Sequence, residues 1–121
     1  MKKNILIAGS TGSIGEEFTR FYSDDPDVDK IITISRKIYD TTQKKIQSIE
    51  IDYNKEQSFK NLERISELES IDTIIIATGI LHTAQIKPEK SIDSINFEAF
   101  KSVFQVNVFG PLLLVKKLMP L

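Results

Sequence analysis

The residues best suited to chemistry in this chain are ones with almost no side chain. Gly9, Gly12 and Gly15 stand three apart in "GSTGSIG", straight after the apolar run of residues 5–8 and straight before a segment with helical periodicity. A strand that turns tightly into a helix through glycines exposes backbone amides, and the helix dipole adds to their attraction for an anion. Gly9, Ser10, Thr11, Gly12, Ser13, Ile14 and Gly15 are therefore the candidates for a cradle around a phosphate or diphosphate. The spacing G-x-x-G-x-x-G differs from the dinucleotide fingerprint G-x-G-x-x-G by one position in the middle glycine, and the physical need is the same. No Gly-Lys-Ser/Thr follows, so the turn is not a P-loop. Three glycines in isolation serve equally well as a plain tight turn; their place at the start of a β-α-β unit favours the cradle.

A second signal lies about 20 residues further on, where a carboxylate would hold a ribose 2′-hydroxyl and an arginine a 2′-phosphate. Ser35 falls there, followed by Arg36 and Lys37, with no acid at that point. A guanidinium forms paired charge-assisted hydrogen bonds to phosphate, so NADP is expected rather than NAD. The competing reading makes Arg36 and Lys37 solvated loop cations. Elsewhere the chemistry is sparse. His82 is the single histidine, so it is read as a loop residue beside the cleft rather than as part of a triad or a multi-histidine metal site. The absence of cysteine excludes thiolate nucleophiles, disulfides and thiolate-bound metal, and fits a reducing cytoplasm. A net charge of -1 from 16 basic and 17 acidic residues offers no basic field for nucleic acid or anionic lipid. The stretch of residues 108–115 is broken by Gly110 and Pro111, too short to span a bilayer.

The elements that would position these residues follow from hydrophobic period. "NILIAG" (residues 4–9), "KIITIS" (30–35) and "DTIIIATG" (72–79) are β-branched and apolar without alternation, as in parallel strands covered on both faces. "KIQSIEID" (45–52) alternates in part and makes a fourth strand. Ile14, Phe18, Phe21 and Tyr22 predict the inward face of a first helix. Residues 54–68 predict another, with Phe59, Leu62, Ile65 and Leu68 inward and Lys60, Glu63, Arg64 and Glu67 outward. "KIYDTTQ" (37–43) is too short and polar for a helix and reads as a degenerate crossover. Asn96 suits an N-cap for "FEAFKSVFQVNVF" (97–109), with Glu98 in its first turn, and Pro111 marks a kink or restart. Short right-handed crossovers then give one α/β domain over residues 1–121, a Rossmann-like doubly wound parallel sheet in the order 3-2-1-4.

On "GSTGSIG", "SR" (Ser35 and Arg36), "IDYN" (residues 51–54, including Tyr53), "ATG" (Ala77, Thr78 and Gly79) and "VNVFGPLLL" (106–114), the chain resembles the short-chain dehydrogenase/reductase family over its whole length. "ATGILH" followed by "PEKS" is most similar to the C-factor-type branch. The resemblance implies that Asp52 touches the adenine, that Ala77, Thr78 and Gly79 lie beside the adenosine ribose, and that Asn107 braces a catalytic lysine through water. It also implies self-association through the last helix.

Two departures bear on function. The family's fourth-strand turn reads Asn-Asn-Ala-Gly, whereas Ile76 and Ala77 stand here in place of the asparagines, so a hydrogen bond that steadies the central strand is missing or supplied otherwise. The family's Ser and Tyr-x-x-x-Lys are absent: four residues after Tyr22, Tyr39 and Tyr53 come Pro26, Gln43 and Gln57. The expectation is the N-terminal part of an oxidoreductase, truncated after the long fourth-strand helix and inactive by itself. A small-molecule substrate is then expected of the complete protein alone, and a non-catalytic NAD(P)-binding regulatory module is the alternative. An unpaired fourth-strand edge and an apolar last helix are expected to promote self-association.

Overall fold

The computed structural model describes residues 2–65, 71–80 and 83–119. Four strands, β1 (Lys3–Ala8), β2 (Val28–Ser35), β3 (Ile46–Glu50) and β4 (Thr73–Ile76), form one sheet in the order β3-β2-β1-β4. All three pairings are parallel; Ile7 of β1 lies in register with Thr33 of β2 and Ile75 of β4. The order 3-2-1-4 is the one expected from the succession of strands and crossovers. β1 and β2 are central and their apolar residues are buried, which is why neither shows a polar alternation. β4 departs from the expectation of burial on both faces: Thr73, Ile74 and Ile75 are half-buried and Ile76 is exposed. Among the described residues it pairs with β1 alone, so one edge has no neighbour to cover it.

Alternate residues of each strand feed two cores. Leu6, Ala8, Ile32, Ile34 and Ile49 face one side, packed with Phe59, Leu62, Ile65, Leu114 and Leu118. Ile5, Ile7, Ile31 and Ile46 face the other, with Val28 and the partly buried Tyr22, Tyr39 and Ile75. Residues 36–45 cross from β2 to β3 without a helix, as the short polar segment suggests. Tyr39, anchored by its amide to Ser48 Oγ at 2.7 Å, covers part of the second core in a helix's place.

Helix α1 (Ser13–Ser23) corrects the expected inward face. Ile14 and Phe21 are 65% and 66% exposed, Phe18 is also exposed, and Tyr22 alone of the four packs on the core. The buried positions are Gly15 and Thr19. The helix must come close to the strand it leaves, so small residues face the sheet and the large apolar ones are turned outward.

The expected helix over 54–68 is a 3₁₀ segment, Glu56–Arg64. Phe59, Leu62 and Ile65 are all buried as expected, and their spacing of three matches a helix with three residues per turn. Leu68 and Glu67 lie outside the described residues. Helix α2 (Phe97–Phe104) is capped by Asn96, whose Oδ1 accepts from Ala99 N at 2.8 Å. A π-helical turn, Gln105–Phe109, joins it to α3 (Gly110–Leu118). Pro111 accounts for that wide turn: without an N–H it cannot donate to the Asn107 carbonyl, and its ring crowds that carbonyl.

Candidate functional site

The carboxyl ends of the strands surround a cavity of about 270 Å³. From β1 and its turn come Gly9, Thr11 and Gly12; from the end of β2 come Ile34, Ser35 and Arg36. The chain after β3 adds Ile51 and Tyr53, and the turn after β4 adds Ala77, Thr78, Gly79 and Ile80. Thr83 and Val106 complete the lining.

The three glycines are there for different reasons. Gly9 has φ of 89°, a backbone that side chains rarely tolerate, and a Cβ on it would sit 2.5 Å from Ala77 O. A Cβ on Gly15 would lie 1.9 Å from Gly9 O, so the helix can approach the strand this closely with glycine alone. Gly12 has neither constraint: its φ is -80°, and among the described residues an added Cβ would meet nothing nearer than Gly9 O at 3.5 Å. Protein packing does not require a glycine at 12, yet it lines the cavity at the N-terminus of α1. It also supplies no capping side chain to the helix. The first-turn amides of α1 have no intrahelical carbonyl to reach, and an anion at Gly12 would take that role.

The expected site residues separate into three groups. Gly9, Thr11, Gly12, Ser35, Arg36, Tyr53, Ala77, Thr78 and Gly79 meet on the cavity. Ser10 and Gly15 are buried behind the turn, with Ser10 Oγ lacking a hydrogen-bond partner among the described residues. Ser13 and Ile14 lie off the cavity, on an outer apolar groove with Phe18 and Phe21. Ser35 is on the wall, but its hydroxyl donates to Lys37 O and shapes the bend that carries Arg36. Asp52 is not part of the lining, and its Oδ1 accepts from Asn54 N at 2.9 Å. His82 lies outside the described residues.

Asn107 does not line the cavity; it grips its rim. Its Oδ1 accepts from Ile80 N and its Nδ2 donates to Ile80 O, both at 2.7 Å. Tyr53 is 6% exposed, and Thr78 Oγ1 donates to its hydroxyl at 3.3 Å. Burial raises the Tyr53 phenol above its ordinary pKa, and the Thr78 hydrogen bond pulls partly the other way. Thus two contacts hold the β4 turn where the asparagines are missing. Sequence reasoning did not single out Ile34, Ile51, Ile80, Thr83 or Val106. Ile34 and Ile51 read as strand residues, Ile80 and Val106 stood inside quoted motifs without a role of their own, and Thr83 carried no signal.

A parallel sheet in this order, with a side-chain-poor turn leading from its first strand into a helix, defines the Rossmann-like class of nucleotide-binding folds. The short chain dehydrogenase model matches residues 3–121, and the chain belongs to that family. Among solved structures, a short chain dehydrogenase family protein from Francisella tularensis is 23% identical with a TM-score of 0.77, covering 98% of this chain and 46% of that one. NADPH-bound carbonyl reductase from chicken fatty liver gives 15%, 0.77, 98% and 48% in the same order. For 3-ketoacyl-(acyl-carrier-protein) reductase from Brucella melitensis, complexed with NADH, the values are 21%, 0.75, 98% and 49%. The chain thus spans about half the length of the solved structures it matches. No curated protein matches it in sequence. Among the described residues no helix is long and apolar enough to cross a membrane, and no group of three or more His, Cys, Asp or Glu could hold a metal ion.

Proposed function

We propose that these residues are the dinucleotide-binding part of an NADP-dependent short-chain oxidoreductase, one that moves hydride between a nicotinamide and a carbonyl or alcohol. The observation that carries this reading is Gly12, a glycine that packing does not need, placed where a diphosphate would meet the amides of α1. The nicotinamide supplies the hydride when bound. The chain's own residues bind and orient: the α1 amides neutralise the diphosphate, Arg36 grips the 2′-phosphate, and Ala77, Thr78 and Gly79 wall the adenosine. Asp52, next in sequence to the cavity-lining Tyr53, remains our proposal for the adenine edge. Asn107 acts through Ile80, by fixing the rim.

Proton donation at the alkoxide oxygen needs an acid whose pKa is lowered by a nearby cation. Burial moves Tyr53 the opposite way, and none of the three tyrosines has lysine four residues on. We therefore propose that residues 1–121 bind the dinucleotide without turning a substrate over. The alternative is a nucleotide-binding regulatory module on the same fold, which would use the same glycine turn and cavity. "ATGILH" with "PEKS" supports the C-factor-type branch, and a cysteine-free chain suits the cytoplasm. Phe97, Phe100, Phe104, Phe109 and Leu112 are exposed along α2, the π-helical turn and α3, a surface suited to self-association.

A thermal-shift comparison tests the cofactor. Ligand at 100 times its dissociation constant adds about 2.7 kcal/mol, so NADPH should raise the melting temperature more than equimolar NADH. Arg36→Gln should level the two. Equal stabilisation by both in the unaltered protein removes the NADP assignment, and stabilisation by neither removes the dinucleotide.

A further inference from the structure

We infer that Tyr53 is a positioning residue for the nucleotide: its hydroxyl, held by Thr78 Oγ1, ties the chain after β3 to the turn after β4 and sets the width of the cavity between them. This rests on the dinucleotide reading above. The residue is held at three points, two on its ring and one on its backbone. It stacks on Phe59 with centroids 6.1 Å apart and planes 14° from parallel. The Tyr53 carbonyl accepts from Gln105 Nε2 at 2.6 Å. Gly110 leaves the room the ring needs, since a Cβ there would sit 2.2 Å from Tyr53 Cγ. A phenol fixed in this way is a rigid post, and what it holds is also held in place.

What it holds is the part of the β4 turn with the least other support. The backbone ladder bond from Ala77 N to Ala8 O, at 2.8 Å, secures one end of the turn. Asn107 secures the other at Ile80. Between these anchors lie Thr78 and Gly79, both on the cavity wall. Ile76 and Ala77 offer no polar side chain. Thr78 is the first that does, and its hydroxyl goes to Tyr53. At 3.3 Å the bond is long against the usual value of about 2.7–2.8 Å, so its effect on binding is modest and measurable rather than absolute. Because the bond acts on the adenosine wall and not on the 2′-phosphate, it should affect NADPH and NADH alike.

The experiment titrates NADPH and NADH, followed by nicotinamide fluorescence, into the unaltered protein, Tyr53→Phe, Thr78→Val, the double variant and Thr78→Ser. Tyr53→Phe and Thr78→Val should each raise both dissociation constants about fivefold, or about 1 kcal/mol. The double variant should lose no more than either single one, and Thr78→Ser should bind within about twofold of the parent, because the bond is one interaction shared by two residues. If Tyr53→Phe does not fold, Thr78→Val and Thr78→Ser decide the matter, since Thr78 lies in a half-buried turn outside both cores. Unchanged affinity in the singles, or additive losses in the double, overturns the brace while leaving the dinucleotide reading intact. No binding of either dinucleotide to the unaltered protein overturns both.

Discussion

Two turns line the cavity, and they are made of opposite materials. The turn after β1 owes its shape to missing atoms: Gly9 and Gly15 are shut against backbone by distances no Cβ could share, while a Cβ at Gly12 would meet Gly9 O at ordinary contact distance. The turn after β4 owes its shape to added ones: Asn107 reaches across from the π-helical turn to hold Ile80, and Tyr53 reaches across from the chain after β3 to hold Thr78. A turn fixed by steric exclusion presents bare amides to an anion and tolerates no enlargement. One fixed by side-chain hydrogen bonds can be loosened by degrees. A diphosphate suits the first kind of wall and an adenosine the second.

The largest effect should come from enlarging the first turn. Gly15→Val places branched carbon where Gly9 O already lies, and should cost about 3 kcal/mol or more, read as loss of the cooperative urea transition. Loosening the second turn should cost less. Asn107→Ala removes two hydrogen bonds to a rim that water can partly reach, so a loss of about 2 kcal/mol is expected in the urea midpoint. If Asn107→Ala proved as disruptive as Gly15→Val, the distinction between the turns would not stand. Away from both turns, Thr33 is fully buried on β2 and its Oγ1 lacks a hydrogen-bond partner among the described residues. Thr33→Val keeps the shape and removes the orphan, so a gain of about 1 kcal/mol is expected by the same measurement.

The smallest effect is a pH dependence at the second turn. Tyr53 has its pKa raised from 10.0 by burial. Below about pH 10 the phenol is neutral in both the folded and unfolded states, and its contribution is fully present. Above that the unfolded chain ionises first, so stability falls as pH rises toward the folded value. Tyr53→Phe should therefore show a shallower alkaline decline than its parent in urea midpoints between pH 9 and 11. Parallel declines would mean that the phenol ionises as easily folded as unfolded.

Strand order and the glycine turn were legible because they rest on local signals: β-branched runs without alternation, and glycines at a strand end. The inward face of α1 was misread because periodicity reports which residues share a stripe, not which stripe meets the sheet. Here the close approach at Gly15 and Thr19 decided that. The 3₁₀ segment was foreshadowed by Phe59, Leu62 and Ile65 at intervals of three, a spacing an α-helix tolerates as well. The link between Tyr53 and Thr78 was not legible at all, since it joins residues 25 apart through the strand ends. Asn107 carried a role by resemblance, and its grip on Ile80 emerged only with the π-helical turn that Pro111 imposes.

The central claim is that the space beside Gly12 belongs to a diphosphate, and the most direct measurement of it is a calorimetric titration of NADPH into Gly12→Ala alongside the unaltered protein. Among the described residues the added methyl meets no atom closer than 3.5 Å, so the urea midpoint should stay within about 0.5 kcal/mol of the parent. The dissociation constant should rise at least tenfold, about 1.4 kcal/mol. An unchanged dissociation constant for NADPH in a well-folded Gly12→Ala protein would contradict the account.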